Sequence, residues 1–554
     1  MSPGVEPNSK RMLLTQVSQK DYEDLCRLDV LSLADTAEHD QSMVYNEFKE
    51  QLTRSPEGWY ETGLPWCRNH PPLLPNKTGS IRRLESLERR LQRKKLTEDY
   101  KAVIQDQKHN GIVEPATTVA KGNKFYIPHK EVVRESAQST KLRVVYDASA
   151  KASPESPSLN ECLFHWRPNP QADVEVLRFT RVLFGLVSSP FLLGGVLETH
   201  LDHWKSKAPD AVEALRRCLY VDDIISGGCT VDEARKRKLE AIDILGDATF
   251  TLHKWASNAK ELDEGSVNKN HEEQTAAKQQ FGVQPTEMKI LGTTWNKEKD
   301  TLSVQIGHCG KSPTKRNILS RLAKIYDPIG IASPLLLQGK QIYREVCDLK
   351  LPWDAELIGK LKQSWEKWEN TLPSEVTVPR AVLSFQEPVC SLEIHGFGDA
   401  SGEGLCAVVY TVAKQPSGVT QELLAAKSRL AKRGLTIPRL ELVASHMAAN
   451  LVSNASNALR HIPHRKHCWS DSTVALWWIK GEGDYKQFVS HRVAKIRASN
   501  EIVWHHVPTT DNPADLGSRG GKLTEMWMKG PAWLSERSLW PPDLIVKPST
   551  DSQS

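Results

Sequence analysis

The first clear periodicity in the chain is helical. Leu84, Leu87 and Leu91 recur at three- and four-residue spacing, and Tyr100, Val103 and Ile104 extend the stripe, so helix is predicted from Ile81 to Ile104. The other face carries Arg82, Arg83, Arg89, Arg90, Arg93, Lys94 and Lys95. It reads either as a solvated face or as one that contacts phosphates, since clustered cations gain affinity by releasing counterions. Phe125–Pro128 and Lys141–Tyr146 have the branched and aromatic content of strands, and Ala150–Pro157 reads as a loop. Residues 181–300 alternate helices and short strands, with a polar stretch over 258–285 that reads as a flexible insertion or solvated connector. Trp365, Trp368 and Leu372 share one helical face and are predicted core. Ile394–Asp399 reads as a strand, Cys406–Tyr410 as its hairpin partner, and Pro438 opens a long helix to about Leu459. The last thirty or so residues, with Trp527, Trp533 and Trp540 among prolines, read as a linker.

At 554 residues the chain is too long for one core and implies about three or four domains. Its 39% hydrophobic and 25% charged residues fit an ordinary globular protein. A net charge of +5 permits a nucleic-acid partner without requiring one, so local clustering of charge matters more. The ten cysteines are scattered without a Cys-x-x-Cys pair, against a disulfide scaffold or zinc ribbon and in favour of reduced thiols in the cytoplasm or nucleus. There is no apolar signal core and no run of about 18 apolar residues, so no membrane partner is expected.

Two groups of acids carry the chemistry. In the first, Tyr220-Val221-Asp222-Asp223 lies between Cys218-Leu219 and Ile224-Ile225, which suits a tight hairpin with buried strands and a turn presenting acids. Alone it reads as an Asp-rich turn. Its context is an ordered set: Lys141-Leu142-Arg143-Val144-Val145-Tyr146 upstream, then Arg181–Phe191, then Leu252–Asn258 and Ile290–Trp295 downstream. That order resembles the fingers and palm of a reverse transcriptase, and the wording of the motifs is most similar to the BEL/Pao class of long-terminal-repeat retrotransposons, from about Tyr22 to Trp540.

The resemblance implies that Asp222 and Asp223 match the metal-binding pair of the palm. It also implies that Lys141 and Arg143 meet the nucleotide's phosphates, that Phe184, Gly185, Ser188 and Ser189 support template and nucleotide, and that Lys254 lies near the phosphates. Two-metal phosphoryl transfer needs a further carboxylate. In this family it lies between the Ser-Leu-Asn and Phe-Gly motifs. Here Ser158–Leu163 runs almost directly into Phe164–Pro168. Asp173 superficially mimics the missing acid but follows Pro168 and Pro170 too closely. The palm is therefore expected to be partly deleted and the polymerase inactive or nearly so.

In the second group, Asp399, Glu441, Asp471 and Asp515 are separated by 42, 30 and 44 residues, each gap room for about one strand–helix unit. Singly, Asp399 reads as a turn residue, Glu441 as a favourable first-turn acid and Asp471 as a helix N-cap. Together, at strand ends and first turns, they resemble the acids of a retroelement ribonuclease H, with Asp511 a lesser candidate for the fourth. That resemblance implies Mg²⁺, or Mn²⁺, in two-metal sites at Asp222, Asp223, Asp399, Glu441, Asp471 and Asp515. It implies RNA, DNA and RNA–DNA hybrid as partners, alongside other Pol or Gag products of the element. Some relatives carry a loop histidine before the last acid. Here that loop has none, and His505 and His506 read as structural residues of the preceding strand.

The expected fold class is multidomain α/β and α+β: a reverse-transcriptase-like fingers and palm, partly deleted, followed by an RNase H-like mixed-sheet α/β domain. The expected boundaries are 1–115 for an N-terminal segment with the basic helix, 116–300 for fingers and palm, and 301–388 for a thumb- or connection-like helical region. The RNase H-like domain follows at 389–525, then a linker at 526–554 toward an integrase that is not seen. The expected activity is hydrolysis of RNA in hybrids, intracellularly, in cytoplasmic virus-like particles or the nucleus. The alternative is a catalytically dead retrotransposon relic, or a gene prediction that skipped an exon, that at most binds nucleic acid.

Overall fold

The computed structural model describes residues 38–63, 76–116, 126–133, 142–147, 163–166, 175–182, 188–228, 230–253, 255–263, 287–308, 310–385, 387–460, 462–499 and 501–542. The chain divides into two compact units, one over 35–285 and the other built on 286–554. No helix among the described residues is long and apolar enough to cross a membrane.

In the 35–285 unit the predicted long helix is two helices, Lys77–Arg93 and Thr97–His109, because Lys95 takes a left-handed backbone (φ 53°) and turns the chain. The apolar stripe is nevertheless continuous in space. Leu84, Leu87, Leu91, Tyr100 and Ile104 pack with Val113, Ile127, Leu142 and Tyr146. The strand expected at 125–128 lies slightly later, at His129–Val133, and pairs antiparallel with Leu142–Tyr146. Tyr126 is held instead by Asn76, whose amide donates to its carbonyl (2.7 Å) and accepts from its N–H (2.8 Å). A second cluster joins Leu201, Ala211, Val212, Leu215, Ala241 and Ile244 from the helices Ser189–Trp204, Pro209–Cys218 and Val231–Asp247. The polar stretch from 264 to 285 lies outside the described residues.

The second unit begins with an antiparallel sheet, Glu287–Ile290, Thr293–Asn296, Thr301–Gln305 and, after three helices, Glu375–Pro379. The helices are Lys315–Lys324, Ser333–Asp348 and Gly359–Thr371, and Trp365 and Trp368 are buried as expected. A five-stranded sheet follows: β1 (Ser391–Ala400), β2 (Gly404–Gln415), β3 (Gly418–Leu430), β4 (His464–Ser470) and β5 (Ile502–His506). Its order is β3-β2-β1-β4-β5. The first three strands run antiparallel, while β4 and β5 run parallel to β1. Helix α1 (Ile437–Ala458) connects β3 to β4, α2 (Thr473–Lys480) and α3 (Gln487–Ala498) lie between β4 and β5, and α4 (Ala514–Arg519) follows β5. This is a mixed-sheet RNase H-like arrangement.

Both faces of the sheet are covered, so β2 is apolar and buried along nearly its whole length. Alternate residues divide between two cores. Leu405, Ala407 and Val409 pack with Leu440, Ala444 and Ala448 of α1. Cys406, Val408 and Tyr410 pack with Ile331, Leu335, Trp365 and Trp368 from the preceding helical region. That region therefore shares a core with the sheet. So does the stretch read as a linker: Trp527 and Leu534 are buried in the same core, and Trp527 Nε1 donates to Ile331 O (2.8 Å). The segment is packed as far as residue 542, because its tryptophans cover an apolar sheet face instead of lying in solvent. The five described cysteines are all free thiols.

Candidate active site

Three carboxylates meet at one end of the β1–β4 pair. Asp399 is the penultimate residue of β1, Glu441 lies in the second turn of α1, and Asp471 directly follows β4. One oxygen from each lies within 4.8 Å of the others. Helix α1 can approach this closely because β1 has no side chain at Gly398, where a Cβ would stand 3.0 Å from the Ala444 backbone.

None of the three is explained by a local structural role. The N-cap of α2 is Ser472, whose hydroxyl accepts from Ala475 N–H (3.2 Å), so Asp471 is free of that task. Asp399 lies within the strand, 3% exposed. Glu441 faces inward at 7% exposure, its Oε1 accepting from Ala400 N–H (3.2 Å) while its Oε2 is buried without a hydrogen-bond partner. Such an orphan oxygen is costly unless something else satisfies it.

The electrostatics agree. Burial, then the charges of Asp471 and Asp515, push the Asp399 carboxyl up to about 7 against the pull of the Ser518 hydrogen bond. Burial and the neighbouring Asp399 and Asp471 push Glu441 to about 9. This is crowded negative charge in a partly desolvated pocket. A divalent cation fits such a donor set, being hard, oxygen-seeking and able to satisfy the orphan Oε2.

Residues that sequence reading passed over hold the acids in place. Ser518 Oγ donates to Asp399 Oδ2. Thr509 Oγ1 donates to Asp471 Oδ2 (2.8 Å). The Asn512 side-chain N–H₂, almost fully buried, donates to Gly398 O (3.2 Å) and to Asp471 Oδ1 (3.4 Å), tying β1 to the end of β4. Ser518 carried a readable signal: it lies three residues after Asp515 on a short helix, hence on the same face.

Asp515 lies close enough to raise both buried acids but outside the three-carboxylate group, and its Oδ1 accepts from Arg519 Nε (2.5 Å). Asp511 is engaged by Thr510 (3.3 Å). His505 belongs to a buried stack with Trp469 and His467, while His506, at the end of β5, feels the charge of Asp471.

In the other unit Asp222 and Asp223 lie in a two-stranded hairpin, Leu219–Tyr220 with Asp223–Ile224, turned by Val221 in a left-handed conformation. Its strands are half-buried: Leu219 and Ile224 pack against the Leu201 cluster, while Tyr220 is 60% exposed. Arg143 is exposed on its strand, and Ser188 and Ser189 begin the helix ending at Trp204. Lys141, Asp173, Phe184, Gly185 and Lys254 lie outside the described residues.

Residues 314–472 match the family model of the Pao retrotransposon-like RNaseH-like domain. The chain carries a Pao-type domain. The Pao match begins with the helix at Lys315 and includes Asp399, Glu441 and Asp471, but stops before Asp515. No curated protein matches the chain. Among solved structures, RNase H1 from the halophilic archaeon Halobacterium salinarum NRC-1 is 17% identical over 22% of this chain and 90% of its own, with a TM-score of 0.17. LC11-RNase H1 in complex with RNA/DNA hybrid is 19% identical over 23% and 91%, with a TM-score of 0.18. A foamy viral protease-reverse transcriptase in complex with dsDNA is 13% identical over 88% and 96%, with a TM-score of 0.21. The RNase H-like fold of the Pao-type domain rests on its strand order and the family match.

Proposed function

We propose that the Pao-type unit hydrolyses the RNA strand of RNA–DNA hybrids, with Asp399, Glu441 and Asp471 as metal ligands and Asp515 as the fourth acid. The observation that carries this reading is the convergence of three carboxylates, from β1, α1 and the end of β4, with the buried Glu441 Oε2 left unpartnered. Mg²⁺ bound there would supply Lewis-acid charge to activate water and stabilise the charge developing on the phosphate. The chain's own residues fix the acids beforehand. Ser518 orients Asp399, Thr509 and Asn512 orient Asp471, and Ala400 N–H orients Glu441. Such preorganisation spares reorganisation during reaction. Hybrid would be held through its backbone and 2′-hydroxyls.

The reverse-transcriptase-like part is proposed to be polymerase-inactive. In support, Ser158–Leu163 runs almost directly into Phe164–Pro168, which leaves no room for the strand, acid and helix that would complete the palm. Two assays test the pair of readings. Cleavage of labelled hybrid with Mg²⁺ is expected from the full chain and not from Asp471→Asn; equal outcomes would favour a relic that at most binds nucleic acid. Primer extension on an RNA template is expected to fail, and robust incorporation would overturn the second reading.

A further inference from the structure

The helix Lys77–Arg93 carries two cationic rows, and only one is neutralised within the fold. Arg83, Arg90 and Lys94 lie beside the buried leucines. Arg83 pairs with Asp147 (2.8 Å), while Arg90 (3.3 Å) and Lys94 (3.0 Å) share Glu131, whose side chain is almost fully covered. These pairs fasten the helix to the antiparallel pair His129–Val133 and Leu142–Tyr146. The second row is Arg82, Ser86, Arg89 and Arg93, at spacings of four, three and four residues, which places them on one face. Arg82, Arg89 and Arg93 are exposed, and none pairs with a carboxylate among the described residues. Arg89 and Arg93 donate through Nε only to carbonyls of their own helix, at Glu85 and Arg89. Their remaining guanidinium donors border an open hollow of about 540 Å³ lined by Ser86, Arg89, Gln92 and Arg93.

We infer that this second row is a nucleic-acid contact surface that grips the phosphate backbone of one strand, separate from the acidic site of the other unit. Two features select this occupant. The row is all guanidinium and hydroxyl, with the Gln92 amide beside it and no apolar side chain to anchor a protein partner, although Glu85 borders it. At about 1.5 Å per residue the three arginines span roughly 16 Å, the axial length of about five nucleotides of one strand. Guanidinium groups also match phosphate oxygens in a bidentate fork. The paired row shows that the fold supplies acids where cations are structural, which makes the unpaired row the informative one.

The test is the salt dependence of binding of the full chain to a short labelled RNA–DNA hybrid in EDTA, where cleavage cannot intervene. Replacing Arg82, Arg89 and Arg93 together by alanine is expected to reduce the slope of log K against log salt by about 2 to 3, since each neutralised phosphate contributes about 0.9. The triple lysine variant is expected to keep most of the slope. Thermal stability is expected to be unchanged, and if the alanine variant loses its fold the glutamine triple carries the same measurement. An unchanged slope would overturn the inference, as would loss of binding confined to anionic phospholipid vesicles. Because the readout is binding without metal, it stands whether or not the acidic site cleaves hybrid.

Discussion

The Ser518 hydroxyl donates a hydrogen bond to the Asp399 carboxylate across 119 residues of sequence, joining α4 to β1 at the candidate site. That bond opposes the burial that raises Asp399 to about 7. Ser518→Ala should therefore raise the Asp399 carboxyl further and move the pH–rate profile of hybrid cleavage toward alkaline pH. The loss of activity should be larger at pH 7 than at pH 9. A uniform loss at all pH values would assign Ser518 a packing role only.

Removing a ligand should separate activity from stability. Asp471→Asn and Glu441→Gln are each expected to lower cleavage by about a hundredfold or more. Glu441→Gln should at the same time raise the melting temperature of the metal-free protein near pH 8. The unfolded Glu441 ionises near 4.5 but the folded one only near 9, so between those values the folded state binds more protons and rising pH favours unfolding. Glutamine removes that term. Added Mg²⁺ should stabilise the wild type more than the variant.

The buried histidines act in the opposite direction. His395, His467 and His505 stack across β1, β4 and β5, with ring centroids 5.0 and 5.3 Å apart and Trp540 edge-on. Burial and the neighbouring imidazoles hold His467 down to about 3, and burial with nearby Arg492 and Lys495 holds His446 near 4. Below pH 6.5 the unfolded state takes up protons that the folded state refuses, so stability is lost as pH falls from 6.5 toward 3. Thermal melts should show the decline, of order 2 kcal/mol at pH 4.5 from His467 alone. A flat melting temperature between pH 7 and 4.5 would contradict it.

Gly330 is a packing constraint of a different kind. Its φ is +83°, and a Cβ there would sit 1.8 Å from Ala426 O. Gly330→Ala should destabilise the protein by about 3 kcal/mol or more, read as a lowered denaturant midpoint.

Much of the acidic site could be read from the chain because each acid sits beside a strong local signal. Asp399 lies at the end of the strand legible in Ile394–Asp399, Glu441 follows a first-turn proline, and Asp471 directly follows the strand His464–Ser470. The local alternatives for these residues were overturned by tertiary detail: Ser472 is the cap, and Glu441 points inward. Thr509 and Asn512 were not legible, since their roles depend on β5 lying beside β4. The joint core was also hidden. Trp527, Trp533 and Trp540 lie among prolines and lack any periodicity, so nothing in their spacing announces that they cover a sheet. The break at Lys95 was missed because hydrophobic spacing continues through it while the backbone turns.

The loop around Gly330 reaches the outermost strand of the five, where Ala426 N–H donates to Ile329 O (2.7 Å) and Asp327 gathers the loop's own N–H groups. Strand β3 would otherwise offer a bare hydrogen-bonding rim to any passing chain. An RNase H-like domain cut out at residue 389 would lose this guard together with the helices that roof Tyr410 and Phe397. It should therefore self-associate, and any workable excision has to begin upstream of Asp327.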